Sequence, residues 1–261
     1  MASVTGERRR RGIYILPALF TTGNLFFGFY ALVEAINGRL FESAVGLILA
    51  GFCDLLDGRI ARLTNTTSQF GGEYDSLADM VSFGLAPSIM LYSWALQPFG
   101  KLGWLASFLY AACAALRLAR FNVQTETDER RYFVGLSTPG GAAVVCTSIL
   151  FFRDVGDNPA FRQFYVPLII MMLALLMVSN VRYRSFKQFD FGSPLAPWVL
   201  LVLVAGIVVV AAAPAKTLFI MAVSYAASGP LEALIFMRRR RRARAVERLR
   251  AVEGGAGPPS P

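Results

Sequence analysis

Residues 54–79, DLLDGRIARLTNTTSQFGGEYDSLAD, place four aspartates at the junction of two apolar runs. Asp54 and Asp57 are three residues apart at the end of the first run, and Asp75 and Asp79 are four residues apart at the start of the second. Residues at these spacings share one face of an α-helix. Because a short loop joins the two runs, we expect two antiparallel helices whose four carboxylates converge near one end of a hairpin.

The composition of the whole chain is typical of an integral membrane protein. Of the 261 residues, 55% are apolar and only 16% are charged, whereas a soluble domain carries about 25% charged residues. This chain has too few polar side chains for a water-soluble globule and too many apolar ones for a disordered chain. It contains no histidine, which excludes imidazole acid–base chemistry and histidine-ligated zinc, and its three cysteines lie inside apolar runs as small hydrophobic residues.

Eight apolar stretches are long enough, or nearly so, to cross about 30 Å of hydrocarbon. The expected fold class is therefore all-α, a polytopic membrane helical bundle with about eight transmembrane helices. The predicted spans are residues 14–36, 43–60, 74–96, 102–119, 134–152, 161–179, 197–213 and 217–236.

The cationic residues predict the orientation of this bundle. With eight spans, one face holds both termini and the even-numbered connections, and most of the 26 lysines and arginines lie there. By the positive-inside rule both termini are cytoplasmic. We predict a membrane domain at residues 1–237 and a basic, flexible cytoplasmic tail at 238–261, within which ARAVERLRAVE is helix-forming. The opposite face holds Arg39, Lys101, Arg153, Arg162 and Lys216.

Four adjacent carboxylates repel one another unless a cation lies among them. With no histidine and no clustered cysteine nearby, the ligands are all oxygen, which suits Mg²⁺ or Mn²⁺. Two ions about 3.5–4 Å apart are an arrangement that assists phosphoryl transfer. A helix-packing motif with charges that reach the membrane surface would explain the glycines of this stretch but not its four aspartates.

The residues between the two aspartate pairs suit a phosphate-bearing ligand. Gly58 and Ala61 leave one helix face bare, so that a ligand can approach the backbone. Arg62, about one turn beyond Asp57, can contact a phosphate oxygen. Gly71 interrupts the chain before the next helix, whose N-terminal amides favour a nearby anion.

The pattern D-x2-D-G-x2-A-R-x8-G-x3-D-x3-D in residues 54–79 resembles the signature of the CDP-alcohol phosphatidyltransferase family. The resemblance implies a membrane enzyme with a six-helix core, here followed by two further helices, in which an alcohol displaces CMP from a CDP-linked lipid. It implies that Asp54, Asp57 and Asp75 ligate metal and that Asp79 both ligates metal and serves as general base. The expected CDP-lipid contacts are Gly58, Ala61, Arg62, Ser68 and Gly71.

Further motifs resemble the phosphatidylserine synthase branch of this family: DSLAD at 75–79, VSFGLAP at 81–87 and ALRLARFN at 115–122. They imply CDP-diacylglycerol and L-serine as substrates, with glycerol 3-phosphate, inositol or choline as alternative acceptors. A zwitterionic acceptor needs a cation for its carboxylate and an acceptor for its ammonium. Arg117 and Arg120 are candidates for the first role and Glu73 for the second, although arginines at a helix end also serve as topology signals.

A divalent-cation transporter that uses the aspartates as a permeation site is the competing class of protein. Transporters commonly contain internal repeats and binding sites at the membrane midplane. This sequence shows no repeat, and its acidic cluster belongs to a single hairpin at the cytoplasmic side. We therefore interpret the chain as an enzyme of the bacterial cytoplasmic membrane whose active site faces the cytoplasm. Its expected partners are membrane lipids and, by family analogy, a second copy of the chain in a homodimer. No nucleic-acid partner is expected.

Overall fold

The computed structural model describes residues 4–64, 68–124, 132–156, 159–184 and 197–253. Helices dominate it, as the long apolar runs predict. In chain order the elements are α1 (Val4–Ile36), α2 (Leu40–Leu63), α3 (Gln69–Asp79), a π-helical segment (Met80–Leu85), α4 (Ala86–Leu91), a second π-helical segment (Tyr92–Leu96), a 3-10 turn (Gln97–Phe99), α5 (Lys101–Gln124), β1 (Tyr132–Val134), α6 (Thr138–Val155), α7 (Pro159–Val178), β2 (Arg182–Arg184), α8 (Pro197–Ala212) and α9 (Pro214–Glu253).

Helices α1 and α2 form a tight hairpin that pairs them along most of their length. Gly38 makes the turn with a φ of 76°, a conformation that glycine adopts without steric cost. Ser43 Oγ donates a hydrogen bond of 2.6 Å to the Ala31 carbonyl, and a Cβ on Gly46 would lie 3.2 Å from the Ala31 Cβ. This close pairing fixes the position of α1 relative to the aspartates of α2.

The third predicted span, residues 74–96, is a single helical path interrupted by two π-helical segments. The first of these, Met80–Leu85, begins directly after Asp79. A π-helical turn contains an extra residue, which rotates the following side chains, and such turns are frequent at functional sites. The predicted span is therefore helical, but its helix is not a uniform one.

The buried core lies among α4, α5, α6 and α7, and contains Met90, Tyr110, Val145 and Ile170 at 0–1% exposure. The outward faces are apolar as well, with Phe26, Phe164 and Leu201 at least 62% exposed. Exposed apolar surface on this scale is unfavourable in water and suits lipid. The structure is thus that of a helical membrane protein.

The all-α fold class holds, with one short pair of strands beside the helices. Strands β1 and β2 pair antiparallel, with Tyr132 opposite Arg184. The fifth predicted span, 134–152, begins too early for the same reason, because Val134 belongs to β1 and α6 starts only at Thr138. Ser137 caps this helix by accepting a hydrogen bond of 3.1 Å from the Gly140 amide, and a proline in the first turn favours a helix start.

Two helices of the described residues are long and apolar enough to cross a membrane by themselves, Leu16–Ile36 and Lys101–Val123. The apolar parts of α8 and α9, Val204–Ala212 and Pro214–Ala233, meet at an angle of 115°. Helix α2 is long enough but carries aspartates and arginines, and the helix of the third span is interrupted. The eight predicted spans therefore stay a prediction.

Helix α9 continues to Glu253, well beyond the predicted boundary at residue 237. The predicted tail is therefore helical over its first part, as the sequence ARAVERLRAVE indicates, rather than flexible throughout. Alanine, arginine, leucine and glutamate are all strong helix formers, so the helix propagates past the apolar segment. The remaining tail residues, 254–261, lie outside the described residues.

Candidate active site

Three of the four predicted metal ligands lie together between the C-terminal half of α2 and the facing side of α3. Asp54, Asp57 and Asp75 each contribute one carboxylate oxygen to a group whose atoms lie within 4.8 Å of one another. Two buried oxygens of this group, Asp57 Oδ2 and Asp75 Oδ1, have no hydrogen-bond partner among the described residues. Buried carboxylate oxygens require a positive or proton-donating partner, so an all-oxygen site of this kind fits a hard divalent cation.

Asp79, the fourth predicted ligand, is the last residue of α3 and lies one turn after Asp75. Its side chain lies near the Asp54 carboxylate. Residues four apart on a helix point to the same side, and this brings Asp79 to the edge of the group formed by the other three. The hairpin geometry expected from the two aspartate spacings is therefore present.

Helix α1 contributes two polar residues that the sequence interpretation missed. Asn24 Nδ2 donates a hydrogen bond of 3.0 Å to Asp79 Oδ1. Thr21 lies near Asp57, and its hydroxyl donates a hydrogen bond of 3.1 Å to the Pro17 carbonyl. Thr21 is 5% exposed and Asn24 is fully buried. Two polar residues three apart on one face of an apolar helix are visible in the sequence and could have indicated a polar contact. The spacing alone does not identify the carboxylates that they contact.

The predicted CDP-lipid residues of α2 lie beside the aspartates with an open surface above them. A Cβ on Gly58 would meet only Arg62 Nη2, at 4.0 Å, so this glycine leaves space as expected. Ala61 is half-buried and Arg62 is exposed. Arg62 Nε donates a hydrogen bond of 2.7 Å to the Gly58 carbonyl, which folds the guanidinium back along its own helix.

Ser68 and Gly71 have a structural role at the start of α3. Ser68 is the N-cap, and its Oγ accepts a hydrogen bond of 3.0 Å from the Gly71 amide. A Cβ on Gly71 would lie 3.1 Å from this oxygen, so a glycine allows the cap to close. Capping with serine is typical of helix N-termini, and it fixes the helix that carries Asp75 and Asp79.

Arg117, a predicted acceptor-binding residue, is buried. Its Nη1 donates a hydrogen bond of 2.7 Å to Thr138 Oγ1 at the start of α6, and its charge interacts with Asp79 and Tyr225. Arg120 points elsewhere and donates a hydrogen bond of 2.8 Å to Asn180 Oδ1. The two predicted acceptor-binding arginines therefore contact different parts of the structure.

The structure does not bring Glu73 to the aspartates. Residues 73 and 75 are about 200° apart around a helix, so Glu73 and Asp75 point to nearly opposite sides of α3. Glu73 Oε2 instead accepts a hydrogen bond of 3.4 Å from Asn122 Nδ2 of α5. It lines a separate pocket of about 190 Å³ between α3 and α5, together with Leu77 and Ala119.

Comparison with known sequences gives a family match. Residues 14–179 match the model of the family described as CDP-alcohol phosphatidyltransferase. A protein of Helicobacter pylori named CDP-diacylglycerol–serine O-phosphatidyltransferase is 39% identical over 197 residues, which cover 73% of this chain and 81% of that protein.

More distant relatives carry related names. A Bacillus subtilis protein of the same name is 32% identical over 177 residues, which cover 66% of this chain and 92% of that protein. An archaetidylserine synthase of Methanothermobacter thermautotrophicus is 31% identical over 179 residues, which cover 68% of this chain and 72% of that protein.

Proposed function

This chain belongs to the CDP-alcohol phosphatidyltransferase family, and we propose that it transfers the phosphatidyl group of CDP-diacylglycerol to the hydroxyl of L-serine. In this reaction the seryl oxygen forms a bond to the lipid-side phosphorus, the bond from that phosphorus to the bridging oxygen breaks, and CMP leaves. The observation that carries the proposal is the grouping of Asp54, Asp57 and Asp75 next to Asp79, since these are the aspartates of the family signature.

The aspartates are proposed to hold two divalent ions, Mg²⁺ or Mn²⁺. Asp54, Asp57, Asp75 and Asp79 would be the ligands. The buried oxygens of Asp57 and Asp75, which have no hydrogen-bond partner in the part of the chain that the structure describes, support this assignment. Bound ions of this kind supply electrostatic stabilisation for the charge on the phosphoryl oxygens. The protein itself contributes the close convergence of carboxylates, which is unfavourable without a cation.

Asp79 is proposed to be the general base that accepts the seryl proton. A hydroxyl is a weak nucleophile at neutral pH, and the chain contains no histidine that could accept its proton. Asn24 holds Asp79 Oδ1 in a hydrogen bond of 3.0 Å, which fixes the orientation of the carboxylate. A positioned base of this kind contributes about 10²–10⁴-fold to the rate.

The CDP-lipid is proposed to lie over the bare face of α2, near Gly58, Ala61 and Arg62, with Ser68 and Gly71 at the start of α3. The open space above Gly58 supports this placement. Arg62 would exchange its hydrogen bond with the Gly58 carbonyl for one to a phosphate oxygen, a geometry that a guanidinium satisfies well.

Arg117 is proposed to bind the acceptor, because its side chain is buried and its charge interacts with Asp79. Serine bound here would have its carboxylate at the guanidinium and its hydroxyl toward the base. Arg120 would act at the rim of the site, where it already holds Asn180. The position of Glu73 on the far side of α3 gives no support to a role for it in binding the ammonium.

We further propose eight membrane spans with both termini on the cytoplasmic side of a bacterial cytoplasmic membrane. The excess of cationic residues on one face supports this orientation. A homodimer is proposed from family analogy. Reporter fusions at residues 157 and 253 test the topology: we expect the first to report the outer face and the second the cytoplasm, and the reverse result would contradict the proposal.

An acceptor comparison tests the function. Purified protein is supplied with radiolabelled CDP-diacylglycerol, Mg²⁺ or Mn²⁺, and serine, glycerol 3-phosphate, inositol or choline in parallel assays. We expect CMP release and phosphatidylserine formation with L-serine, and almost no product with glycerol 3-phosphate. A higher kcat/KM with another acceptor would assign the chain to a different branch of the family. Absence of CMP release with all four acceptors would contradict the enzymatic function and favour a divalent-cation transporter instead.

A further inference from the structure

Helix α9 brings Tyr225 near Arg117, although this helix lies outside the residues that match the family model. The Tyr225 hydroxyl lies 3.4 Å from Ser137 Oγ, the cap of α6. The next residue, Thr138, accepts the hydrogen bond from Arg117. Three helices, α5, α6 and α9, thus bring polar groups to the first turn of α6, and the charge of Arg117 there interacts with Asp79.

The surroundings of Arg117 suit an arginine that binds an anion. It is only 9% exposed, and its Nε has no hydrogen-bond partner among the described residues. Its hydroxyl partner, Thr138, carries no charge. Among the described residues no carboxylate forms an ion pair with Arg117, although its charge interacts with Asp79 at longer range. A buried guanidinium without a direct ion pair is costly, and an anionic ligand would remove that cost.

The first turn of α6 favours the same kind of ligand. The helix is 18 residues long, and the N-terminal end of a helix carries a partial positive charge that stabilises anions. Ser137 and Thr138 occupy its first positions, and the Arg117 side chain reaches this turn from α5. Two independent sources of positive potential therefore meet at one point.

Gly140 lets Tyr225 approach this turn. A Cβ at position 140 would lie 2.8 Å from Tyr225 Cε1 and 2.6 Å from Ser137 Oγ. Atoms other than hydrogen do not approach so closely without hydrogen bonding, so a larger residue would push the ring of Tyr225 or the cap of α6 away. The glycine keeps a tyrosine hydroxyl next to the buried arginine.

We propose that Arg117, Tyr225 and the first turn of α6 form the subsite that binds the carboxylate of the acceptor amino acid. This inference rests on the proposed function and deepens it. Arg117 supplies the charge, the Tyr225 hydroxyl donates a hydrogen bond to a carboxylate oxygen, and the substrate hydroxyl is left to face Asp79. Helix α9, beyond the family core, then takes part in choosing the acceptor.

The substitution Tyr225→Phe tests this subsite, because it removes only the hydroxyl. The assay compares L-serine with L-serinamide, which keeps the hydroxyl and the amine but has no carboxylate. A hydrogen bond to a charged group justifies an expected rise of roughly 10-fold or more in KM for L-serine. The values of KM for L-serinamide and for CDP-diacylglycerol should change by less than about two-fold, so the preference of the enzyme for serine over serinamide falls.

Tyr30→Phe is the matched control, because it also removes only a tyrosine hydroxyl. Tyr30 is an exposed residue of α1 whose ring packs against Gly46 of α2, away from Arg117 and the first turn of α6. It should leave the serine preference unchanged. Arg117→Lys is the second variant: it keeps the charge, loses the planar fork, and should also reduce the serine preference.

An unchanged KM for L-serine in Tyr225→Phe would overturn the inference. An equal loss with serine, serinamide and CDP-lipid would overturn it as well, because it would assign Tyr225 a scaffolding role. Failure of the unsubstituted protein to use serine would instead refute the proposed function, so the two failures are distinguishable.

Discussion

Asn24 of α1 holds the carboxylate of Asp79, with its Nδ2 3.0 Å from Asp79 Oδ1. The asparagine is fully buried, and its backbone carbonyl accepts a hydrogen bond of 3.0 Å from Ser82 Oγ. Ser82 lies in the π-helical segment that directly follows Asp79. Asn24 therefore holds the proposed base, and Ser82 of the third span in turn holds the Asn24 backbone.

Asn24→Ala should lower kcat, because the substitution removes this hydrogen bond and leaves a buried carboxylate oxygen unsatisfied. A hydrogen bond to a charged group is worth about 1.5–3 kcal/mol, which corresponds to a loss of roughly 10–100-fold in kcat. KM for CDP-diacylglycerol should change far less. Steady-state kinetics measure both. Asn37→Ala, at an exposed position just after α1, is the control, and an equal effect of both substitutions would rule out the positioning role.

Asp79→Asn should lower kcat by at least about 10²-fold, because an amide keeps the shape of the side chain but cannot accept the seryl proton. Binding of CDP-diacylglycerol should weaken much less. Asp57→Asn should instead weaken both metal and CDP-lipid binding, since its oxygen belongs to the group of three aspartates. Isothermal titration with the metal and turnover assays separate the two effects. Near-normal kcat in Asp79→Asn would show that another group is the base.

Removal of divalent cations with EDTA should abolish CMP release, and addition of Mg²⁺ or Mn²⁺ should restore it, because the proposed ligands are all carboxylate oxygens. Ca²⁺ is a useful comparison, since it prefers more ligands at longer distances. Turnover after chelation and re-addition measures the effect. Full activity after exhaustive chelation would contradict the proposed metal site.

Gly28→Ala should destabilise the protein, because a Cβ there would lie 2.1 Å from Ser82 Oγ and 2.7 Å from Ser82 Cα. Overpacking of this kind costs about 1–3 kcal/mol. Gly206→Ala in α8 is the matched control, since a Cβ at that position has no atom within 4 Å. Unfolding in mixed micelles compares the two variants. Equal stability of both would contradict the tight packing of α1 on the π-helical segment.

The sequence by itself determined the membrane class and the aspartate cluster. Both follow from local regularities: long apolar runs require helices in lipid, and the spacings of Asp54 with Asp57 and of Asp75 with Asp79 place each pair on one helix face. A short loop then forces the two faces together. The metal-site prediction depended on these relationships within a single hairpin, and the structure confirms that grouping for three of the four aspartates.

The tertiary structure decided which other residues join this hairpin. Asn24 and Tyr225 come from helices far away in the chain, and no spacing rule relates them to Asp79 or Arg117. Glu73 is close to Asp75 in sequence, yet the helix rotation points it to the other side. Strand β1 likewise forms only because β2 lies opposite it. Contacts between residues far apart in the chain depend on how the helices pack against one another, and local sequence spacing does not determine that packing.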